Sequence, residues 1–219
     1  GLGRDLALGL LFGFPVALTI GLSTALLVTI IGTFFGILSG YMAGKTDTII
    51  QRFADVWSNI PLLPILIFLI FIFGQKLWLV VVILIVFGWP GLTIVVRSMV
   101  LQIRTGQLVE ATRALGASRR RIMFRHILPN AISPIIVATT LSVGNVILLE
   151  SVLSFLGLGI QPPIPSWGNL LTNAQELIFE APSLAFYPGV LIFVTVIAFN
   201  FLGDGLQDAL DPRATERRG

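Results

Sequence analysis

The sequence predicts an all-α membrane protein with about five transmembrane helices. Three observations carry that expectation. Of 219 residues, 55% are hydrophobic and 11% are charged, against roughly 25% charged in a soluble domain. Asp, Glu, Lys and Arg are absent from positions 6–44, 56–75, 77–96, 127–149 and 181–203, and a bilayer core needs about 20 apolar residues of helix. The basic residues between those runs are also distributed very unevenly.

Each run predicts one span. The first is too long for one span and too short for two with a turn, so one tilted helix is expected, with an interfacial lead-in around 6–14. A polar loop over 44–55 follows. Pro61 and Pro64 stand near the start of the second span, where proline is tolerated or kinks the helix. Gly74-Gln75-Lys76 reads as a tight hairpin into the third span. Ser133-Pro134 reads as N-cap and first helical residue of the fourth. The 151–182 connection is long and broken by Pro162, Pro163 and Pro165. Beyond them Leu170, Leu171, Ala174, Leu177 and Ile178 recur at helical spacing and predict a short amphipathic surface helix. The last run is the fifth span.

Five spans put the termini on opposite sides. One side receives Lys45, Arg52, Arg97, Arg104, Arg113, Arg119, Arg120, Arg121, Arg125, Arg213, Arg217 and Arg218; the other keeps Arg4 and Lys76. Lys and Arg accumulate in cytoplasmic loops. The 97–126 segment and the C-terminus at Gly219 are therefore expected inside and Gly1 outside. A chain that starts outside with no signal-peptide pattern implies an earlier helix that delivered it there.

Several chemistries find no support. With no cysteine, thiolate metal sites and disulfides are excluded. The net charge of +3 is explained by the cytoplasmic basic loops, so nucleic acid is not expected as a partner. Ser39-Gly40-Tyr41-Met42-Ala43-Gly44-Lys45-Thr46 lacks the first glycine of a phosphate loop and is expected to close a membrane helix rather than open a helix after a strand. Gly157-Leu158-Gly159 lacks the third glycine of a dinucleotide loop. His126 has no His or Cys near it, so it reads as structural or contact-making. Glu150 ends an apolar run and reads as a boundary acid solvated by headgroups. The span interiors carry none of the acids or arginines on which pumps and proton-coupled carriers rely, and Asn145 and Asn200 read as helix-to-helix glue.

The segment 108–129 is the most informative. Leu108, Ala111, Thr112 and Leu115 share one helical face. Glu110 and Arg113 lie on the other, three apart, where they can pair weakly. Gly116 suits the left-handed residue that ends a helix. Ser118 then caps a second helix whose apolar side is Ile122, Met123 and Ile127, ending before Pro129. Arg119, Arg120 and Arg121 follow that cap against the helix dipole. Lipid phosphates or acidic groups on a soluble protein would each explain them.

The same residues resemble the Glu-Ala-Ala loop of permease subunits of ATP-binding-cassette (ABC) importers. Glu110, Ala111, Gly116, Leu128 and Pro129 fit its form, and Thr112 replaces its second alanine. Gly3-Arg4-Asp5, Arg113-Ala114-Leu115-Gly116-Ala117-Ser118, Phe124-Arg125-His126-Ile127-Leu128-Pro129-Asn130, Ser154-Phe155-Leu156-Gly157-Leu158-Gly159, Gln161-Pro162-Pro163, Pro165-Ser166-Trp167-Gly168-Asn169 and Leu202-Gly203-Asp204-Gly205-Leu206 are similar to the C-type permeases of dipeptide, oligopeptide and nickel importers.

The resemblance implies a type I ABC importer permease core: a single transmembrane domain over 1–219, lacking the family's first helix, with a cytoplasmic coupling-helix loop over 108–129. It implies a bacterial or archaeal inner-membrane subunit that is not itself an enzyme. The implied partners are a paralogous permease, two ABC ATPases that bind ATP and Mg, an extracytoplasmic substrate-binding protein and membrane lipid, with no cofactor in this chain. Coupling to the ATPase falls to Glu110, Ala111, Arg113, Ala114, Leu115, Gly116, Ala117, Ser118, Arg119, Arg120 and Arg121. Gln161, Pro162, Pro163 and Trp167 are expected to shape the outer mouth or touch the binding protein, with interfacial anchoring of Trp167 as a rival reading. Di- or oligopeptide is the expected substrate, with nickel as the alternative. A passive channel or secondary carrier, or a structural membrane subunit of an enzyme complex, remain readings from other classes.

Overall fold

Two consecutive residues with positive φ, Ala43 (49°) and Gly44 (56°), turn the end of the first helix directly into the second. A non-glycine residue rarely adopts this conformation, and it makes a sharp corner where a loop over 44–55 was expected. The computed structural model describes residues 6–210, and every regular element among them is helical: α1 Leu6–Met42, α2 Gly44–Ser58, α3 Leu62–Phe73, α4 Leu77–Arg104, α5 Gln107–Ala114, α6 Arg119–Ile122, a π-helical turn Met123–Ile127, α7 Leu128–Phe155, α8 Trp167–Gln175 and α9 Ser183–Leu210. The expectations for Gly1, Gly3-Arg4-Asp5, Arg213, Arg217, Arg218 and Gly219 lie outside these residues.

Among the described residues, four helices are long and apolar enough to cross a membrane: Leu6–Met42, Leu77–Arg104, Arg119–Phe155 and Ser183–Leu210. A fifth crossing exists if α2 and α3 form one broken span. The first run is one continuous helix of 37 residues, as its length predicts. The second run is not continuous. It breaks at Pro61, which takes extended angles (φ −68°, ψ 120°) and caps a helix of only 12 residues. The fourth run starts earlier than Ser133-Pro134 implied: Pro134 lies inside α7. Gly74 (φ 75°) makes the expected tight connection between α3 and α4.

The chain groups into two compact units, with four of the five boundaries inside long helices and one at the break before Pro61. Among the described residues, unit 1 comprises 6–25, 61–85 and 140–202. Its core gathers Ala17, Ala25, Val143, Ile147, Trp167 and Ile192. Glycines let its helices approach: a Cβ on Gly21 would meet Ile147 at 2.7 Å, and one on Gly13 would meet Trp167 at 2.9 Å. Among the described residues, unit 2 comprises 26–60, 86–139 and 203–210. Here Gly32, Gly36 and Gly40 of α1 face Leu92, Val96 and Val100 of α4, and a Cβ at any of the three would come within 2.6–2.8 Å of those side chains. Small residues at this spacing let two membrane helices touch backbone to backbone.

The rest of unit 2 locks α2 onto this pair. Trp89 stacks on Phe53 at 5.9 Å and meets Phe35 at a tilt, at 5.2 Å. Trp57 donates its indole N–H to the Val86 carbonyl at 2.7 Å. Asp47 accepts two hydrogen bonds from Arg97, each 2.6 Å long, in the bidentate geometry that makes such pairs strong. Ser39 donates to the same carboxylate, and Gln51 donates to Ser39. Gly44-Lys45-Thr46 thus opens α2 rather than closing α1, which corrects the expectation, while Ser39 is fully buried in this network.

Candidate functional site

Helix α5 starts after Gly106, whose extended backbone (φ −74°, ψ 148°) gives no side-chain cap. It ends in the manner Gly116 predicts. Gly116 takes φ 79°. Its N–H donates to the Arg113 carbonyl at 3.0 Å, and the N–H of Ala117 donates to that of Thr112 at 3.2 Å. These two bonds form a Schellman motif, which satisfies carbonyls the helix end would leave unpaired. A side chain at φ 79° would be strained even though open space surrounds the position.

Ser118 caps the next helix as expected. Its hydroxyl accepts from the Arg121 N–H at 3.4 Å. Ile122 and Ile127 are fully buried, with Met123 partly so. The second helix does not stop before Pro129. Residues 119–155 form one apolar span, passing through the π-turn that ends just before Pro129. Proline has no N–H and its ring crowds the carbonyl four residues back, and a widened turn accommodates that defect. Asn130 adds a hydrogen bond to the His126 carbonyl.

The faces of α5 are arranged differently from the expectation. Val109 is the buried residue. Leu108 and Leu115 are exposed, Leu115 to 88%, and Ala111 and Ala114 are exposed with them. Glu110 and Arg113 do not pair: among the described residues the one ion pair within 4.0 Å is Arg97–Asp47. Arg113 instead lies 5.9 Å from the centre of the Tyr41 ring, within cation–π range. Arg104 donates to the Gly40 and Tyr41 carbonyls at 3.2 and 3.3 Å, closing the end of α1. Arg119, Arg120 and Arg121 are exposed. The result is a hydrogen-bonded turn with an apolar, exposed α5 surface beside basic groups, followed directly by a helix that continues into an apolar span.

The second group of sequence-predicted residues belongs to unit 1. Pro162 and Pro163 are exposed, joined by a cis peptide bond, and Gln161 is half-buried. Trp167 is not exposed. Only 1% of it is accessible, its indole N–H donates to the Leu10 carbonyl at 3.1 Å, and Phe14 lies 6.0 Å away. It is a core post of α8, neither an outward contact nor an interfacial anchor. A short helix is present with Leu170, Leu171 and Ala174, but it ends at Gln175, so Leu177 and Ile178 lie beyond it in turns, and with Trp167, Asn169 and Ala174 buried it is not a surface helix.

Sequence reasoning missed two residues here. Asn169 forms a capping box with Ser166 and donates its amide to the Ile160 and Ile164 carbonyls at 3.3 and 2.9 Å. It fixes the proline loop to α8. The available signal was the spacing of Ser166 and Asn169 at the start of an apolar stretch. Glu150 is 1% accessible and accepts from Ser154 at 2.6 Å, while Ser154 accepts from the Ile160 N–H at 2.9 Å. It is an interior acid that organises the end of α7, not a boundary acid in headgroups. An acid closing an apolar run was the signal.

A sequence model of the family described as "binding-protein-dependent transport system inner membrane component" matches residues 32–216. The oligopeptide transport system permease protein OppC of Haemophilus influenzae is 39% identical over 211 residues, covering 96% of this chain and 68% of that protein. The glutathione transport system permease protein GsiD of Pectobacterium atrosepticum is 41% identical over 212 residues, covering 97% and 70%. The dipeptide transport system permease protein DppC of Bacillus subtilis is 41% identical over 213 residues, covering 97% and 67%. Among solved structures, a chain of the inward-facing MetNI methionine ABC transporter is similar with a TM-score of 0.81, over 96% of this chain and 100% of that one, at 21% identity. That likeness is one of fold.

Proposed function

We infer the function from one premise: this chain belongs to the family of binding-protein-dependent transport system inner membrane components. It is a transmembrane permease subunit of an ABC importer, an inner-membrane transport component working with partner subunits. Its relatives carry oligopeptide, dipeptide and glutathione transport in their names, so the transport class is peptide rather than nickel.

The finer assignments are our reading. This permease pairs with a second, related permease to enclose the pathway. Two ATPases bind and hydrolyse ATP with Mg on the cytoplasmic side, and a binding protein delivers peptide from outside. The 97–126 segment faces the cytoplasm. Glu110 through Arg121 are the element that an ATPase grips, and Gln161, Pro162 and Pro163 face the binding protein.

One observation supports the coupling role above the others. The exposed α5 face of Leu108 and Leu115 is held by the Gly116 turn against a helix that continues into an apolar span. An apolar face that the chain leaves uncovered at a water-facing turn is suited to a protein partner. A push on α5 passes through the Schellman turn into residues 119–155 without a flexible joint. Coupling of this kind is reciprocal: ATPase state biases the pathway, and pathway state biases the ATPase. Leu115→Asp tests the docking step. The variant should insert into membranes as the wild type does but lose co-purification with the ATPases. Undiminished co-purification would overturn the assignment of this face.

A further inference from the structure

A cavity of about 410 Å³ opens within unit 2, between the ends of α1 and α4 and the α5–α6 turn. Arg104, Arg113 and Arg119 line it, with Tyr41, Met42 and Ile122 among the remaining walls. No acidic side chain is among its lining residues. Among the described residues none of the three arginines is in an ion pair, and the nearby Asp47 is already engaged by Arg97 and Ser39. Three like charges around one concavity repel one another unless an anion joins them.

Arg104 is half-buried, Arg113 and Arg119 are exposed, and each makes a contact at the cavity. Arg104 is held by the Gly40 and Tyr41 carbonyls, which leaves donors of its fork unspent. Arg113 is steadied by the Tyr41 ring, a contact that fixes the cation without neutralising it. Arg119 reaches the sulfur of Met42 at 4.0 Å, a weak contact at most. Forked donors converging on one space match an anion with several oxygens, and the volume lies in the range of small-ligand pockets, about 300–1,000 Å³.

The depth of the cavity narrows the source of that anion. Met42 and Arg104 are the last residues of two helices apolar and long enough to cross a bilayer. The charge-free run of α4 ends at Val96 and Arg104 lies about two turns beyond it, so the cavity is on the water side of the hydrocarbon, toward the layer of lipid phosphates, and basic pockets at the ends of membrane helices are suited to acidic headgroups. Tyr41 and Ile122 give it a buried apolar wall, and half-exposed Met42 gives it an apolar rim.

We propose that this cavity binds the phosphodiester headgroup of an anionic membrane phospholipid, gripped by Arg104, Arg113 and Arg119. Bound there, the lipid neutralises the repulsion behind the Gly116 turn and braces α5 and α6 against the ends of α1 and α4. Arg113 and Arg119 also lie in the segment assigned to ATPase docking, so lipid binding is tested without ATPases, where failure of one assignment leaves the other standing.

The test uses the full-length protein, purified without ATPases, and native mass spectrometry with phosphatidylglycerol or phosphatidylcholine added. Retention of phosphatidylglycerol over phosphatidylcholine is expected, falling at least about tenfold in Arg113→Gln/Arg119→Gln. That pair spares Arg104, which closes α1, so folding is preserved, and an unchanged helical circular dichroism spectrum checks it. Arg120→Gln/Arg121→Gln, on the same segment but outside the cavity, should retain the lipid normally. Equal retention of the two lipids, or equal losses in the two double variants, would overturn the site. Displacement of phosphatidylglycerol by millimolar inorganic phosphate would assign it to a soluble phosphate and contradict the lipid.

Discussion

Trp167 shows how far one side chain's role depends on a distant residue. Its ring occupies space that exists because Gly13 has no side chain, and its N–H reaches a carbonyl 157 positions away in sequence. Replacing it with alanine removes a fully buried indole and should destabilise the fold by about 3–5 kcal/mol, on the scale of large-to-small core changes. Trp167→Phe keeps most of the ring and loses the hydrogen bond, at about 1 kcal/mol. Thermal unfolding in detergent should rank wild type above Phe above Ala. An alanine variant with wild-type unfolding and impaired response to a binding protein would restore the contact role. Glu150 presents the same lesson in polar form. Its neighbour Ser154 bonds both to its carboxylate and to the Ile160 backbone, so a boundary acid by sequence position is an internal organiser by packing.

At the scale of elements, the contact between α1 and α4 offers the sharpest test. Gly36 lies against Val96, and a Cβ there would come 2.6 Å from that side chain and 3.0 Å from the Thr93 carbonyl. Backbone cannot yield as a flexible side-chain tip can. Gly36→Ala should therefore lower the unfolding temperature and the folded yield. Gly91→Ala is the control: it has open space around it and should be neutral or gain up to about 1 kcal/mol from helix propensity. If both variants unfold alike, close helix contact is not what Gly36 provides.

Much of this architecture was legible in the chain. Runs without charge gave the long helices, because lipid excludes ions regardless of tertiary detail. Gly116 and Ser118 gave the α5–α6 turn, because a left-handed residue and an N-cap are local demands. Three things were not legible. Pro61 breaks its span while Pro134 sits inside a continuous helix, and composition does not distinguish the two. The exposed placement of Leu108 and Leu115 depends on which side of α5 meets the rest of unit 2, and Val109 takes the buried place. Asp47 and Arg97 are 50 positions apart, and no local pattern pairs them.

At the scale of the whole molecule, the distribution of arginine and lysine predicts which ends of the spans face the cytoplasm. Lys76→Cys and Arg120→Cys, each placed in the cysteine-free chain, should label oppositely in sealed right-side-out vesicles. Position 76 should react from outside and position 120 only after permeabilisation. The reverse pattern would invert the topology and with it the side on which ATPases could dock.

The central claim is that the turn at Gly116 transmits ATPase movement into the membrane. It is tested most directly in proteoliposomes holding the assembled importer, by measuring peptide uptake and ATP hydrolysis on one preparation. At φ 79° a β-branched side chain costs on the order of 1–3 kcal/mol of strain, relieved by breaking the Schellman turn and misplacing α6. Gly116→Val should insert and accumulate like the wild type, since nothing lies within 4 Å of the position. Its uptake should fall at least about tenfold, with Gly116→Ala in between. Wild-type uptake by a properly inserted Gly116→Val permease would contradict the claim.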